Sequence, residues 1–162
     1  MNSRIRSKRA QSLVEFALLV PAFFMLLLGV LDLGRAGYYF VVASGLARQG
    51  ARYAAAFDQG FGWGAGGTFG LIDEQSEAQT VPLSQPAGCA STVPTVGSLT
   101  ACQTPGVGKG YLFVHDVSAS GSTPHYVQVS IVYAFQPTTP MISALTGTIY
   151  IVATSAMDTE YP

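Results

Sequence analysis

Sixteen consecutive residues, Phe16 to Leu31 (FALLVPAFFMLLLGVL), carry no charge, and no other stretch of this chain restricts its fold as strongly. With Leu13, Val14 and Leu33 the run reaches about 20 residues, enough as a helix to cross a hydrocarbon core of about 30 Å. Arg4, Arg6, Lys8 and Arg9 come directly before it, and the next basic residue after it is Arg35. That asymmetry predicts a cytoplasmic N-terminus and a C-terminus on the far side of the membrane. A secretory signal peptide is the competing reading, since it too joins a basic region to an apolar one. Its apolar core is usually only about 7–15 residues, however, and the helical pattern here continues past the run. The first cysteine is Cys89, far beyond the run, which excludes a lipoprotein anchor.

The remaining composition fits a chain divided between two environments. Charged residues make up 10% of the 162 positions, against roughly 25% in an ordinary soluble domain. The net charge of −1 conceals a polarity: four of the eight basic residues precede residue 10, leaving four basic against nine acidic residues, a net of −5, in the rest. Such a body does not neutralise phosphates broadly, so no nucleic acid is expected as a partner.

Glu15 stands at the edge of the apolar run, where a carboxylate is costly unless it reaches water or finds a partner. One reading makes it a boundary marker at the interface. The context Arg9-Ala-Gln-Ser-Leu-Val-Glu-Phe-Ala-Leu18 supports another. It resembles the N-terminus of type IV pilin-like precursors, and most closely the TadE-like minor pilins, or pseudopilins, of the tight-adherence pilus system. The resemblance implies a membrane peptidase of the prepilin type cutting between Ala10 and Gln11, which makes Glu15 the fifth mature residue. It also implies that Glu15 attracts the freed amine of a neighbouring subunit and so sets axial register. The implied setting is the bacterial inner membrane, crossed once, with other pilin-like subunits or membrane helices and membrane lipid as partners.

Pro21 lacks the N–H that would bond to the carbonyl of Ala17, so a kink or local opening is expected within the apolar run. Beyond the run, Asp32 to Ala56 is free of proline and rich in alanine. Ala43, Ala47, Ala51 and Ala55 recur every four residues along one slowly drifting stripe, the spacing of a close-packing helix seam. Gly34, Gly37, Gly45 and Gly50 each cost about 1 kcal/mol relative to alanine, so contact with something else must support this helix. Asp32 and Arg35 are spaced to pair across one turn. Arg48 and Arg52 read as a solvated face. The segments Asp32-Leu-Gly-Arg35-Ala and Gly50-Ala-Arg52-Tyr53-Ala-Ala again resemble the TadE-like pattern. As one helix, residues 11–56 span about 70 Å.

The stretch GFGWGAGGTFG (residues 60–70) is too rich in glycine for a helix and reads as a loop with aromatic anchors, without the strand and GK[ST] context of a phosphate-binding loop. A short acidic helix is expected over Ile72–Gln79, followed by an irregular Pro/Ser/Thr/Gly-rich excursion to Gly110. Two cysteines, Cys89 and Cys102, lie in this exported segment and are expected to form a disulfide. Free thiols and half a metal site are the alternatives, and neither His115 nor His125 has zinc-like spacing to them.

The last third alternates with period two. Tyr111–Val117, Val127–Phe135 and Thr148–Met157 read as three strands of an antiparallel meander, interrupted by Pro137 and Pro140. Its apolar face needs cover, which the outer half of the long helix can supply. The pattern V-x-V-x-I-V-Y-x-F-x-P, then Leu145-Thr-Gly147 and Ile149-x-Ile151-x-Ala153, is similar to the TadE-like C-terminal sheet. The resemblance thus covers residues 9–56 and 111–157 and leaves the middle uncovered.

Together these readings predict an α+β, pilin-like fold in which a long N-terminal membrane-spanning helix packs on a small antiparallel β-sheet. A basic leader (1–10) precedes the helix (11–56), and a loop region (57–110) leads to the sheet (111–162). No catalytic motif, cofactor site or metal site is expected. His115, Asp116 and His125 are the plausible acid–base groups, and no G-x-S-x-G elbow or HExxH motif accompanies them. The predicted function is structural: assembly of a tight-adherence-type pilus or related filament through helix–helix packing. The alternatives are an uncleaved, single-span accessory subunit of a larger membrane complex and, more weakly, an exported binding module using the glycine/aromatic loop.

Overall fold

The computed structural model describes residues 3–57, 72, 76, 81–86, 89, 93–117 and 125–159, with side chains described from Gln11 onward. A helix α1 (Ser3–Phe57) of 55 residues dominates it, about 80 Å at 1.5 Å per residue. The helical assignment runs through Pro21 without a break. Three longer strands follow, β2 (Gly110–Val117), β3 (Tyr126–Phe135) and β4 (Ile149–Asp158), preceded by a two-residue strand β1 (Leu83–Ser84). A seven-residue helix α2 (Pro140–Thr146) lies between β3 and β4.

The four strands form one sheet in the order β1-β2-β3-β4. The β2–β3 and β3–β4 pairs are antiparallel, with Leu112 opposite Ile131 and Ile131 opposite Ala153. The β1–β2 pair is parallel, so the sheet is mixed where the sequence predicts an antiparallel one. A close approach at Gly110 permits this pairing. Its N–H donates to the carbonyl of Pro82 at 2.8 Å, and a Cβ there would overlap Leu83 Cδ2 and crowd the carbonyl of Val132. Two residues between loops carry no visible alternation, which is why β1 is not readable in the sequence.

The main core lies between α1 and one sheet face. Val42, Ala43, Leu46, Ala47 and Ala51 of α1 pack with Leu112, Val127, Val129, Ile131, Tyr133, Ile151 and Ala153. The other face is covered as well, because Cys89, Phe113 and Val132 form a second buried cluster with Leu99, Tyr111 and Val152 against it. Period-two alternation predicts β3 to be half-buried. It is instead buried at all seven positions from Val129 to Phe135, since the crossover tethered by Cys89 lies over its second face. Of the acidic helix expected over 72–79, only Ile72 and Ser76 are described. Both are helical and fully buried. The glycine/aromatic loop of residues 60–70 lies outside the described residues.

Candidate membrane and assembly surface

α1 divides into two halves with opposite surroundings. Its lower half exposes Leu13, Phe16, Leu18, Leu19, Phe23, Leu26 and Leu31, Leu18 being 74% exposed, an apolar surface of the kind that marks a membrane or protein contact. Among the described residues this is the one helix long and apolar enough to cross a membrane. Its backbone donors and acceptors are satisfied internally, as hydrocarbon requires. Its upper half is the opposite case: Ala43, Ala47 and Ala51 are wholly buried and Ala55 is half-buried.

Ala43, Ala47 and Ala51 pack on this chain's own sheet. Small side chains let the helix axis approach the strands closely, and at Gly50 a Cβ would overlap Ile72 Cδ1 and press on Val129 Cγ1. Ala43, Ala47 and Ala51 are consequently not presented to a neighbouring helix. The surface left open on α1 includes the lower apolar half, Tyr38, Phe40 and Val41 on the side away from the sheet, and Gly34 and Gly37, which have no atoms within 4 Å of a Cβ position.

The two halves meet at Asp32. Its Oδ1 accepts the N–H of Thr138 at 3.0 Å and its Oδ2 accepts the N–H of Thr139 at 2.9 Å. Arg35 donates to Asp32 Oδ1 at 3.5 Å, the pairing expected from their spacing, and also donates to the hydroxyl of Thr138. The Arg35 guanidinium stands 5.6 Å from the centre of the Phe135 ring, within the range of a cation–π contact. One turn further, Tyr39 stacks on Tyr133 with ring centres 4.7 Å apart. Burial and the adjoining Tyr39 push the Tyr133 phenol up to about 12.

Asp32 thus docks the start of α2 onto α1, a role that i,i+3 pairing alone does not reveal. The start of α2 does have a sequence signature. Thr139-Pro140 is a helix-start pair, with Thr139 at the N-cap and Pro140 at the first helical position, and Gly147 closes it at φ 62°. The prolines end β3 as predicted, and Pro140 also begins a helix.

At the other end of α1, the side-chain amide of Gln11 donates to Glu15 Oε1 at 3.1 Å. Gln11 and Glu15, the first and fifth residues after the expected cut, are thus paired one turn apart, and the helix continues through Ala10 to Ser3. Cys89 and Cys102 form a disulfide with Cα atoms 6.0 Å apart. His115 lies in β2 opposite Gln128, on the face shared with Tyr111 and Phe113. His125 precedes β3, its carbonyl accepting the N–H of Thr159 at 2.9 Å. The side chain of Asp116 lies outside the described residues. Among the described residues, no group of three or more His, Cys, Asp or Glu side chains is placed to hold a metal.

Residues 10–52 match the model of a family described as TadE-like protein. The matched segment starts beside the Ala10–Gln11 bond, includes Glu15, Asp32 and Arg35, and ends within the alanine seam. The second resembling region, residues 111–157, lies outside it. No curated protein and no solved structure matches the chain.

Proposed function

We propose that this chain, TadE-like over residues 10–52, is a membrane-inserted structural subunit of a tight-adherence-type pilus or of its assembly apparatus. The observation that carries the reading is the division of α1. Its upper half is clamped to the sheet while its lower half is apolar and exposed. An exposed apolar helix of that length is stable in lipid or against other apolar helices, the two environments that an assembling pilin-like subunit passes between.

In this reading the chain crosses the bacterial inner membrane once, its basic leader in the cytoplasm and its sheet outside. A prepilin-type peptidase cuts between Ala10 and Gln11. Glu15 then exchanges the Gln11 amide for the freed amine of a neighbouring subunit. Helix–helix contact uses Leu13–Leu31 and the open positions Gly34 and Gly37, since the alanine seam is occupied within the chain. The role is structural, and no catalytic step is assigned to it.

The unbroken course of α1 from Ser3 through the Ala10–Gln11 bond supports one other reading, an uncleaved accessory subunit. Intact mass of the membrane-extracted protein decides between them. Loss of residues 1–10 supports the pilin-like subunit, and retention of Met1 in the assembled state supports the accessory subunit. Glu15→Ala is expected to leave membrane insertion intact and to reduce incorporation into filaments. Unchanged incorporation overturns the proposed role of Glu15.

A further inference from the structure

The β3–β4 connection sits lower along α1 than the rest of the sheet. β3 runs antiparallel to the outer half of α1. Val129 is beside Gly50, Tyr133 beside Tyr39, and Thr138 and Thr139 beside Asp32. The chain then continues in the same direction: Ile142 Cδ1 is 3.3 Å from the Cβ position of Gly29. Gly29 lies inside the uncharged run Phe16–Leu31. About 30 Å of helix separates Gly50 from Gly29, so α2 stands level with the last turn of the apolar segment. A cleft of about 340 Å³ lined by Leu28, Leu31, Asp32, Thr138, Thr139 and Pro140 lies between α2 and α1 at this level.

The composition of α2 suits that depth. No Asp, Glu, Lys or Arg occurs from Tyr126 to Met157. Leu145 is 84% and Met141 54% exposed, with Ile149 and Tyr150 exposed beside them at the start of β4. In water, this group of apolar side chains around a seven-residue helix has no cover. Tyr38 on α1 and Tyr150 on β4 are both exposed close to this end of the sheet, the residue type enriched where a protein meets lipid headgroups.

We infer that α2 is a membrane-interface anchor, inserting Met141 and Leu145 into the outer leaflet at the boundary between headgroups and acyl chains, while Ile142 packs on α1. The inference rests on the reading that Phe16–Leu31 spans the bilayer. It adds a second point of lipid contact, so that the sheet lies against the membrane and does not swing from α1. Asp32 makes this placement possible. Its carboxylate, close to hydrocarbon, is engaged by the N–H groups of Thr138 and Thr139 and by Arg35.

The test uses the full chain with its single tryptophan removed (Trp63→Phe) and one tryptophan placed elsewhere. The sites are Leu145→Trp, Met141→Trp, Phe24→Trp and Asp158→Trp. Each protein is reconstituted into phosphatidylcholine vesicles brominated either near the carbonyl end or near the methyl end of the acyl chains. Tryptophan at 145 and at 141 is expected to emit at shorter wavelength than at 158. It should lose fluorescence more to carbonyl-end than to methyl-end bromine. Phe24→Trp should be quenched more by the methyl-end label, and Asp158→Trp by neither. Quenching at 24 without quenching at either 141 or 145 overturns the anchor and leaves the spanning helix standing. Absence of quenching at 24 overturns the spanning reading and the anchor with it.

Discussion

Asp32 and Thr139 are separated by 107 positions in sequence and joined by a 2.9 Å hydrogen bond from the Thr139 N–H to the Asp32 carboxylate. With the parallel bond from Thr138, it satisfies two backbone donors at the start of α2, a point where a helix supplies no partner of its own. Asp32→Ala is therefore expected to free α2 from α1 while the sheet core persists. Amide exchange of Thr138 and Thr139 should accelerate in this variant, with little change at Val129 and Ile131. Asp32→Asn, which keeps one carbonyl oxygen as acceptor, should fall between the two.

Glycines on α1 are expected to respond oppositely to alanine according to what they face. At Gly50 the added methyl overlaps Ile72 Cδ1 and presses on Val129. Overpacking of about 1–3 kcal/mol there outweighs the helix-propensity gain of about 1 kcal/mol. At Gly37 the position is open, and alanine should stabilise the chain by about 0.5–1 kcal/mol. Thermal unfolding in detergent of both variants checks the pair, Gly50→Ala melting below the parent and Gly37→Ala above it.

The Cys89–Cys102 bond closes a loop over the sheet face that holds Phe113 and Val132. Removing it by Cys89→Ser with Cys102→Ser should cost about 3 kcal/mol by the chain-entropy argument. Denaturant midpoints of the parent, with and without reductant, should show the same loss. The double variant should be insensitive to reductant.

Tyr133 gives an alkaline signature. Its phenol is pushed up to about 12 from an ordinary value of 10.0 by burial and by Tyr39. Between these values the unfolded chain releases this proton and the folded chain retains it, so folding stability falls as pH rises. The contribution is fully present below pH 10 and declines through the window to about 12. Tyr133→Phe should flatten that decline, measured as unfolding midpoints across the window.

The parts of this fold most legible in the sequence are those with long regular patterns. The uncharged run, the proline-free alanine stretch and the alternation from Val127 to Phe135 correspond to α1 and β3 over most of their lengths. The Asp32–Arg35 pair was readable because both residues lie on one helix. Short or relational features were not. β1 has two residues and exists because Gly110 admits Leu83, a fact about contact across 27 positions and not about either segment alone. α2 did leave a signal in Thr139-Pro140 and Gly147, but its prolines also fit the simpler role of ending a strand. The alanine seam shows the limit most plainly. Spacing reveals that something packs closely on Ala43, Ala47 and Ala51, and it does not reveal whether the partner is another helix or the chain's own sheet.

The antiparallel course of α1 and β3 has a mechanical consequence. The helix is gripped near Asp32 by hydrogen bonds and near Gly50 by interlocked side chains. These grips are about 27 Å apart along the helix axis. Sliding α1 past the sheet would have to break both at once, since neither can yield while the other holds. A pull on the lower half is thus resisted in shear along the whole interface instead of peeling it from one end. The sheet and the upper half of α1 therefore move together as one rigid handle on the lower half.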